Sequence, residues 1–315
     1  VKLLTVREAQ QPVKAGGYAA QPKRRSAELV TLSRVVSRQP LGQHFLTSAT
    51  GQRIIRTIFG SAAATPSDGK SRPSEKRPGD VWIEIGAGHG EMTELLAQHA
   101  RRVIAIEIDE RLLPRLCQVA KRLGNVSVVA GDVLALDLAE LAAGERFRVY
   151  GNLPYYITSP IVHRLLEHAE QLDAAFLVMQ LEVADRLAAK PGHREYAYLS
   201  TIVQFYARVE IMLRIPPGAF RPPPKVASAL LALRTPGERP ALGIADEHGF
   251  GEFLKRCFAQ KRKMLRNNLR ALVDGESVEE VFHEAGVAPN ARAEELTLAQ
   301  FARLFDLTAA QRRGV

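Results

Sequence analysis

The chain has 315 residues, with 43 Lys and Arg against 34 Asp and Glu, for a formal net charge of +9. That length suits one large domain beside a smaller one. No apolar run approaches the ~18 residues of a membrane span. The two cysteines, Cys117 and Cys257, make neither a disulfide framework nor a metal-ligand spacing, which predicts a reducing, cytoplasmic setting and no metal. The positive balance points to a polyanionic partner.

Residues 1–40 are basic, with Lys23-Arg24-Arg25 and Arg34, and poor in large apolar residues. They predict a mostly disordered tail with a helix over 27–36. Leu41-Gly42-Gln43-His44-Phe45-Leu46 reads as a turn docking on a core, and Ile54, Ile55 and Ile58 have helical spacing. A Ser-, Pro-, Gly- and Lys-rich stretch over 60–80 predicts a flexible linker. Strands follow over 81–85, 103–108, 126–129, 147–150 and 174–179. Helices are predicted over 91–99, 111–123, 159–168 and 182–189. Such alternation predicts a doubly wound α/β sheet with the strand ends on one rim, where such sheets bind ligands. A helix over 198–206 and strands over 209–215 and 229–234, the latter a closing antiparallel hairpin, complete a domain over 41–235. Residues 236–315 predict a helical RNA-binding domain in which Lys261, Arg262, Lys263, Arg266 and Arg270 fall within three turns of one helix.

The chemistry concentrates at the strand ends. Gly86-Ala87-Gly88-His89-Gly90 lies between a strand and a helix, where glycine lets a ligand approach the main chain. Its third glycine is one place early for the dinucleotide fingerprint G-x-G-x-x-G. Glu107 ends the next strand, about twenty residues on, where a carboxylate accepts from ribose hydroxyls. Asp132 ends the third, positioned to accept from an adenine N6 amine. Acids at both strand ends beside this glycine loop favour S-adenosylmethionine over NAD. Gly151-Asn152-Leu153-Pro154-Tyr155-Tyr156 ends the fourth strand. It combines an amide, a turn stiffened by proline, and a flat ring suited to a planar heterocycle with an exocyclic amine. Between the hairpin strands, Pro216-Pro217-Gly218-Ala219-Phe220-Arg221-Pro222-Pro223-Pro224-Lys225 predicts a stiff loop that presents Phe220 as an exposed ring, the alternative being a hydrophobic plug.

In order along the chain, Leu41-Gly42-Gln43-His44-Phe45-Leu46, Glu84-Ile85-Gly86-Ala87-Gly88, Ile106-Glu107-Ile108-Asp109, Gly131-Asp132, Gly151-Asn152-Leu153-Pro154-Tyr155, Gln180-Leu181-Glu182-Val183-Ala184, Phe220-Arg221-Pro222-Pro223-Pro224-Lys225-Val226 and Phe258-Ala259-Gln260-Lys261-Arg262-Lys263 resemble the small-subunit ribosomal RNA adenine dimethyltransferase family (KsgA/RsmA type) over residues 41–273. The chain departs from the family at Leu181, where a basic residue is common, at Ala227, where Asp is common, and in its long tail and linker.

The resemblance implies a Rossmann-like class I methyltransferase whose S-adenosylmethionine site is lined by His44, Leu46, Gly86, Gly88, Glu107, Asp132 and Asn152. Tyr155 and Phe220 would sandwich the target adenine beside Asn152. Arg221, Lys225, Lys261, Arg262, Lys263, Arg266 and Arg270 would contact RNA. The implied activity is methylation of N6 of two adjacent adenosines near the 3′ end of small-subunit rRNA, by a cytoplasmic monomer acting on that RNA or on a pre-small-subunit particle, with no membrane partner. Rival readings are an Erm-type large-subunit rRNA methyltransferase and a non-catalytic RNA-binding assembly or transcription factor on the same fold. An NAD dehydrogenase stands last, lacking a hydride-transfer dyad.

Overall fold

The structure, a computed structural model, describes residues 44–60, 80–261, 263–270 and 277–313. The expectations for residues 1–43, for all but the ends of the 60–80 linker, and for Arg262 lie outside the described residues.

The elements, in order, are β1 (Phe45–Leu46), α1 (Ser48–Gly60), β2 (Val81–Ile85), α2 (Glu91–Ala97), β3 (Arg102–Glu107), α3 (Leu113–Leu123), β4 (Val126–Ala130), α4 (Leu138–Leu141), β5 (Phe147–Asn152), α5 (Thr158–Leu166), β6 (Leu172–Gln180), α6 (Leu181–Ala188), α7 (Tyr198–Tyr206), β7 (Arg208–Ile215), β8 (Phe220–Arg221), β9 (Ser228–Arg234), α8 (Arg239–Leu242), α9 (Glu247–Cys257), α10 (Leu265–Leu269), α11 (Ser277–Glu284) and α12 (Leu298–Arg313). Seven strands form one sheet in the order β4-β3-β2-β5-β6-β9-β7. The first five are parallel, and β9 and β7 close the edge antiparallel. The expected doubly wound sheet with its closing hairpin is therefore present.

β2 is buried at every position, as a central parallel strand covered on both faces must be. Its alternation divides the core. Ile83 and Ile85 join Val149, Leu177 and Leu231 in a cluster that continues into Phe250, Leu254 and Phe301 of the C-terminal helices. Trp82 packs with Tyr150 and Phe176 against Ile54 and Ile58 of α1 and Leu96 of α2. The domain boundary expected at 235–236 falls in the short loop between β9 and α8, and packing across it is continuous: the Phe205 and Phe250 rings lie 5.1 Å apart.

Strand order fixes where ligands meet the sheet. From β2 the chain winds outward through β3 and β4, then returns to place β5 on the other side of β2. The crevice at this reversal lies beyond the carboxyl ends of β2 and β5. Ile85 and Gly151 are register partners, so the glycine loop and Asn152 emerge side by side.

The C-terminal region differs from expectation. α9 ends at Cys257 and α10 starts only at Leu265, so the basic run is not on one helix. The Asn268 side chain donates to the Cys257 carbonyl at 2.7 Å, and Leu265 N–H donates to Ala291 O at 2.8 Å. These bonds satisfy chain ends that a continuous helix would have paired internally, and they turn the run back on itself.

Candidate functional site

Two separate features of the rim form the site. On the β2–β3–β4 side, Gly86 has φ +72°, and a Cβ built there meets nothing within 4 Å, so the main chain borders open space. Glu107, 3% exposed, accepts from Gly88 N–H at 2.7 Å through Oε2 and from Asp109 N–H at 2.8 Å through Oε1. Each oxygen keeps a further lone pair, so the carboxylate is oriented and still able to accept. Asp132 is exposed at the end of β4; Oδ1 accepts from Leu134 N–H at 3.0 Å. Gly131 N–H donates to Glu107 O, tying the two acidic strand ends together. Ile108 lies beside Glu107 with 51% of its surface exposed, an apolar plate among polar groups. Asp109 is held below the usual carboxylate range by its hydrogen bonds to the Arg111 guanidinium, with the cost of burial opposing.

Behind this edge, Glu84 is 2% exposed and accepts from Thr93 Oγ1 at 2.5 Å. Burial pushes its carboxyl up to about 8 despite that bond, and the nearby Glu107 and Glu91 push the same way. Nothing in the sequence distinguishes a neutral carboxylic acid at this place from an ionised one.

On the β5 side, a Cβ at Gly151 would lie 2.7 Å from Leu153 Cδ2, so the glycine leaves that space to the leucine side chain. Asn152 Nδ2 donates to the carbonyl of His44 at 2.8 Å. A carbonyl only accepts, so the amide nitrogen must face it and Oδ1 is left as an acceptor with a fixed direction. Pro154 O is engaged by Ile157 N–H and Thr158 Oγ1. The Tyr155 hydroxyl shares a hydrogen bond of 2.9 Å with Ser228 Oγ, and its ring is stacked by His44 at 5.9 Å. His44 Nδ1 in turn bonds Pro222 O at 2.8 Å. The Asn-Leu-Pro-Tyr corner and the proline-rich loop thus meet through His44, on one side of the molecule. Sequence reasoning identified neither His44 as the support of Asn152 nor Ser228 as the support of Tyr155.

Phe220 is a correction. It was expected as an exposed ring, but it is 1% exposed, in the cluster of Trp82 and Tyr150. β8 pairs antiparallel with β1, Phe220 opposite Leu46 and Arg221 opposite Phe45. Side chains alternate along a strand, so with Arg221 facing solvent Phe220 faces the core. The plug reading holds, and the partly exposed ring at the corner is Tyr155.

Of the basic residues, Arg221, Lys225, Lys263 and Arg270 are exposed and Arg266 is half-buried. Lys261 Nζ lies 3.4 Å from Glu294 and donates to Arg194 O, so its charge is already partnered. Among the described residues no group of His, Cys, Asp and Glu could hold a metal ion, and no helix is long and apolar enough to cross a membrane.

Against known proteins, the sequence model of the family described as ribosomal RNA adenine dimethylase matches residues 36–310. The chain belongs to that family. Ribosomal RNA small subunit methyltransferase A of Acidobacterium capsulatum is 42% identical over 292 residues, covering 92% of this chain and 97% of its own. The protein of the same name from Koribacter versatilis is 39% identical over 288 residues, covering 87% and 95%. Among solved structures, the 23S rRNA methyltransferase ErmE superposes with a TM-score of 0.63 at 29% identity, over 83% of this chain and 98% of its own. A dimethyladenosine transferase from Plasmodium falciparum gives 0.65 at 24% identity, over 86% and 99%, and shows the shared fold. As a ribosomal RNA adenine dimethylase the chain is a methyltransferase, and the rim just described sets the acidic strand ends beside the amide-bearing corner.

Proposed function

We propose that this enzyme transfers methyl groups from S-adenosylmethionine to N6 of two adjacent adenosines near the 3′ end of small-subunit rRNA, giving dimethyladenosine, as a cytoplasmic monomer working on that RNA or on a pre-small-subunit particle. One observation carries the reading. Asn152 presents an oriented acceptor at the sheet's reversal point, register-adjacent to the glycine loop, with a tyrosine ring beside it.

The residues fit the donor. The open main chain at Gly86, the carboxylate of Glu107, the apolar plate of Ile108 and the free oxygen of Asp132 together suit an adenosyl group, with His44, Leu46 and Gly88 completing the wall. When bound, S-adenosylmethionine supplies an electrophilic methyl group.

The protein's part is to prepare the acceptor. The adenine N6 lone pair is delocalised into the ring and is weakly nucleophilic. Asn152 Oδ1 and the main-chain carbonyl of Leu153 would accept its two N–H bonds and draw the nitrogen toward tetrahedral geometry, localising that pair. Pro154 O is unsuited to this role because Ile157 and Thr158 already hold it. Tyr155 would support one face of the flipped base, a stack worth roughly 1–3 kcal/mol against an unstacking cost of a few kcal/mol. For that, the His44 ring must yield the tyrosine face it now covers, while its carbonyl keeps Asn152 oriented. Positioning supplies much of the catalysis, and no general base is needed before the methyl arrives.

ErmE's likeness supports the Erm-type reading at 29% identity. The small-subunit relatives, at 42% over nearly the whole chain, support the reading adopted. The test is Asn152→Ala with labelled S-adenosylmethionine and unmodified small-subunit particles. Transfer falls by about a hundred- to a thousandfold, the scale of losing an oriented transition-state contact, while equilibrium binding of S-adenosylmethionine remains measurable. Near-normal turnover in the variant contradicts the assignment.

A further inference from the structure

Beside the catalytic corner lies a groove of about 880 Å³ that the account above leaves unused. It begins where Tyr155 is anchored. Ser228, which holds the tyrosine hydroxyl, is the register partner of Gln180, and both Gln180 and the preceding pair Val226-Ala227 line the groove. Leu181 N–H donates to Ala227 O at 3.0 Å, fixing these two walls together. The far wall is the loop from Lys190 to Glu195. That loop is tied to the basic turn after α9 through Lys261 to the Arg194 carbonyl, and to the segment before α12 through Gly192 N–H to Glu294 O. The groove therefore runs from the methyl-transfer corner toward the basic C-terminal region.

Its lining has three carboxylates against one lysine, a balance that suits the edge of a base better than a phosphate. Leu181 and Val226 supply apolar surface, Val226 with 45% of its area exposed. Polar groups around them are Gln180, the carboxylates of Glu182, Asp185 and Glu195, and the side chains of Lys190 and His193. Arg186 pairs with Oε1 of Glu182 and Arg214 with Oδ1 of Asp185, which leaves the second oxygen of each carboxylate to accept. Carboxylates repel phosphate, but they accept from exocyclic amines of nucleobases, and a glutamine amide pairs with an adenine edge. Proteins that read single-stranded RNA stack splayed bases on aromatic, imidazole or guanidinium planes and hydrogen-bond their edges, and His193 supplies such a ring in this lining. Uracil has no exocyclic amine.

We infer that this groove binds an unpaired, amine-bearing base of the nucleotide next to the target adenosine, so that the strand is held on both sides of the flip. The inference rests on the rRNA reading above and adds a specificity element to it. A basic peptide of an assembled particle is the competing occupant.

The test crosses enzyme variants with RNA variants. Gln180→Ala removes a side chain that makes no helix-capping bond, and Asp185→Asn keeps shape while removing the charge. Wild type, each variant, unmodified small-subunit rRNA, and the same RNA with single flanking positions changed to uridine are combined. Each variant lowers kcat/KM about tenfold on the natural flank, the scale of one lost base contact. At one flanking position the uridine RNA loses the same factor with wild type and no more with the variant. S-adenosylmethionine affinity stays unchanged throughout. Fully additive losses, or none, overturn the groove site while leaving the methyltransferase reading intact. Losses seen only with particles, and not with protein-free RNA, assign the groove to a peptide and overturn it too. A folded, cofactor-binding wild type that methylates no small-subunit adenosine overturns both readings.

Discussion

Asn152 acts through a division of labour within one amide: Nδ2 is held by the His44 carbonyl, and this leaves Oδ1 to meet the substrate. Glu84 shows the opposite economy, a carboxyl kept neutral by burial. Its folded pKa of about 8 lies above the ordinary value of 4.5, so between those limits the folded protein binds a proton that the unfolded chain has released. Stability from this residue is complete below pH 4.5 and is lost as pH rises toward about 8, by on the order of a few kcal/mol. Thermal melts should show Tm falling from pH 5 to pH 8 in the wild type and a shallower fall in Glu84→Gln; equal slopes contradict a neutral buried Glu84. Asn152, Glu107 and Asp132 were legible in the sequence because each is a polar residue closing an apolar run. Their supports were not: His44 is 108 residues from Asn152, and Ser228 is 73 from Tyr155, separations that no local spacing encodes.

At the scale of elements, the two-residue pairing of β1 with β8 joins the segment after His44 to the proline-rich loop and carries Phe220 into the core. Phe220→Ala should cost about 3–5 kcal/mol in denaturant unfolding. Phe220→Leu should cost much less and keep methyl transfer within a few fold. A folded Phe220→Leu protein without transfer would return this ring to the substrate. The central strands were readable as continuous apolar runs, the mark of parallel strands covered on both faces. β1 and β8 were not, since two residues carry no period. The basic run after Cys257 read as a helix because its composition favours one; side-chain and main-chain bonds to Asn268 and Ala291, distant in sequence, turned it instead.

Across the whole molecule, with its net charge of +9, residues 1–43 hold eight cations against two acids. Within the described residues the exposed cations expected to meet RNA lie in separate loops, Arg221 and Lys225 by the proline-rich segment and Lys263 and Arg270 beside α10, with Arg266 half-buried on α10. Exposed cations on an RNA-binding surface exchange counterions for phosphates, so Lys263→Glu and Arg270→Glu should each weaken RNA binding and lower the salt slope by about 1. An unchanged slope makes that face a solvated surface. All these features serve one claim, that the sheet's reversal point brings a methyl donor against a flipped adenine of small-subunit rRNA. Mapping of modified nucleotides in rRNA from cells with and without the gene tests it most directly. The account predicts two neighbouring dimethyladenosines in the small subunit that vanish with the gene. An unaltered small subunit, or a mark lost from the large subunit instead, would contradict it.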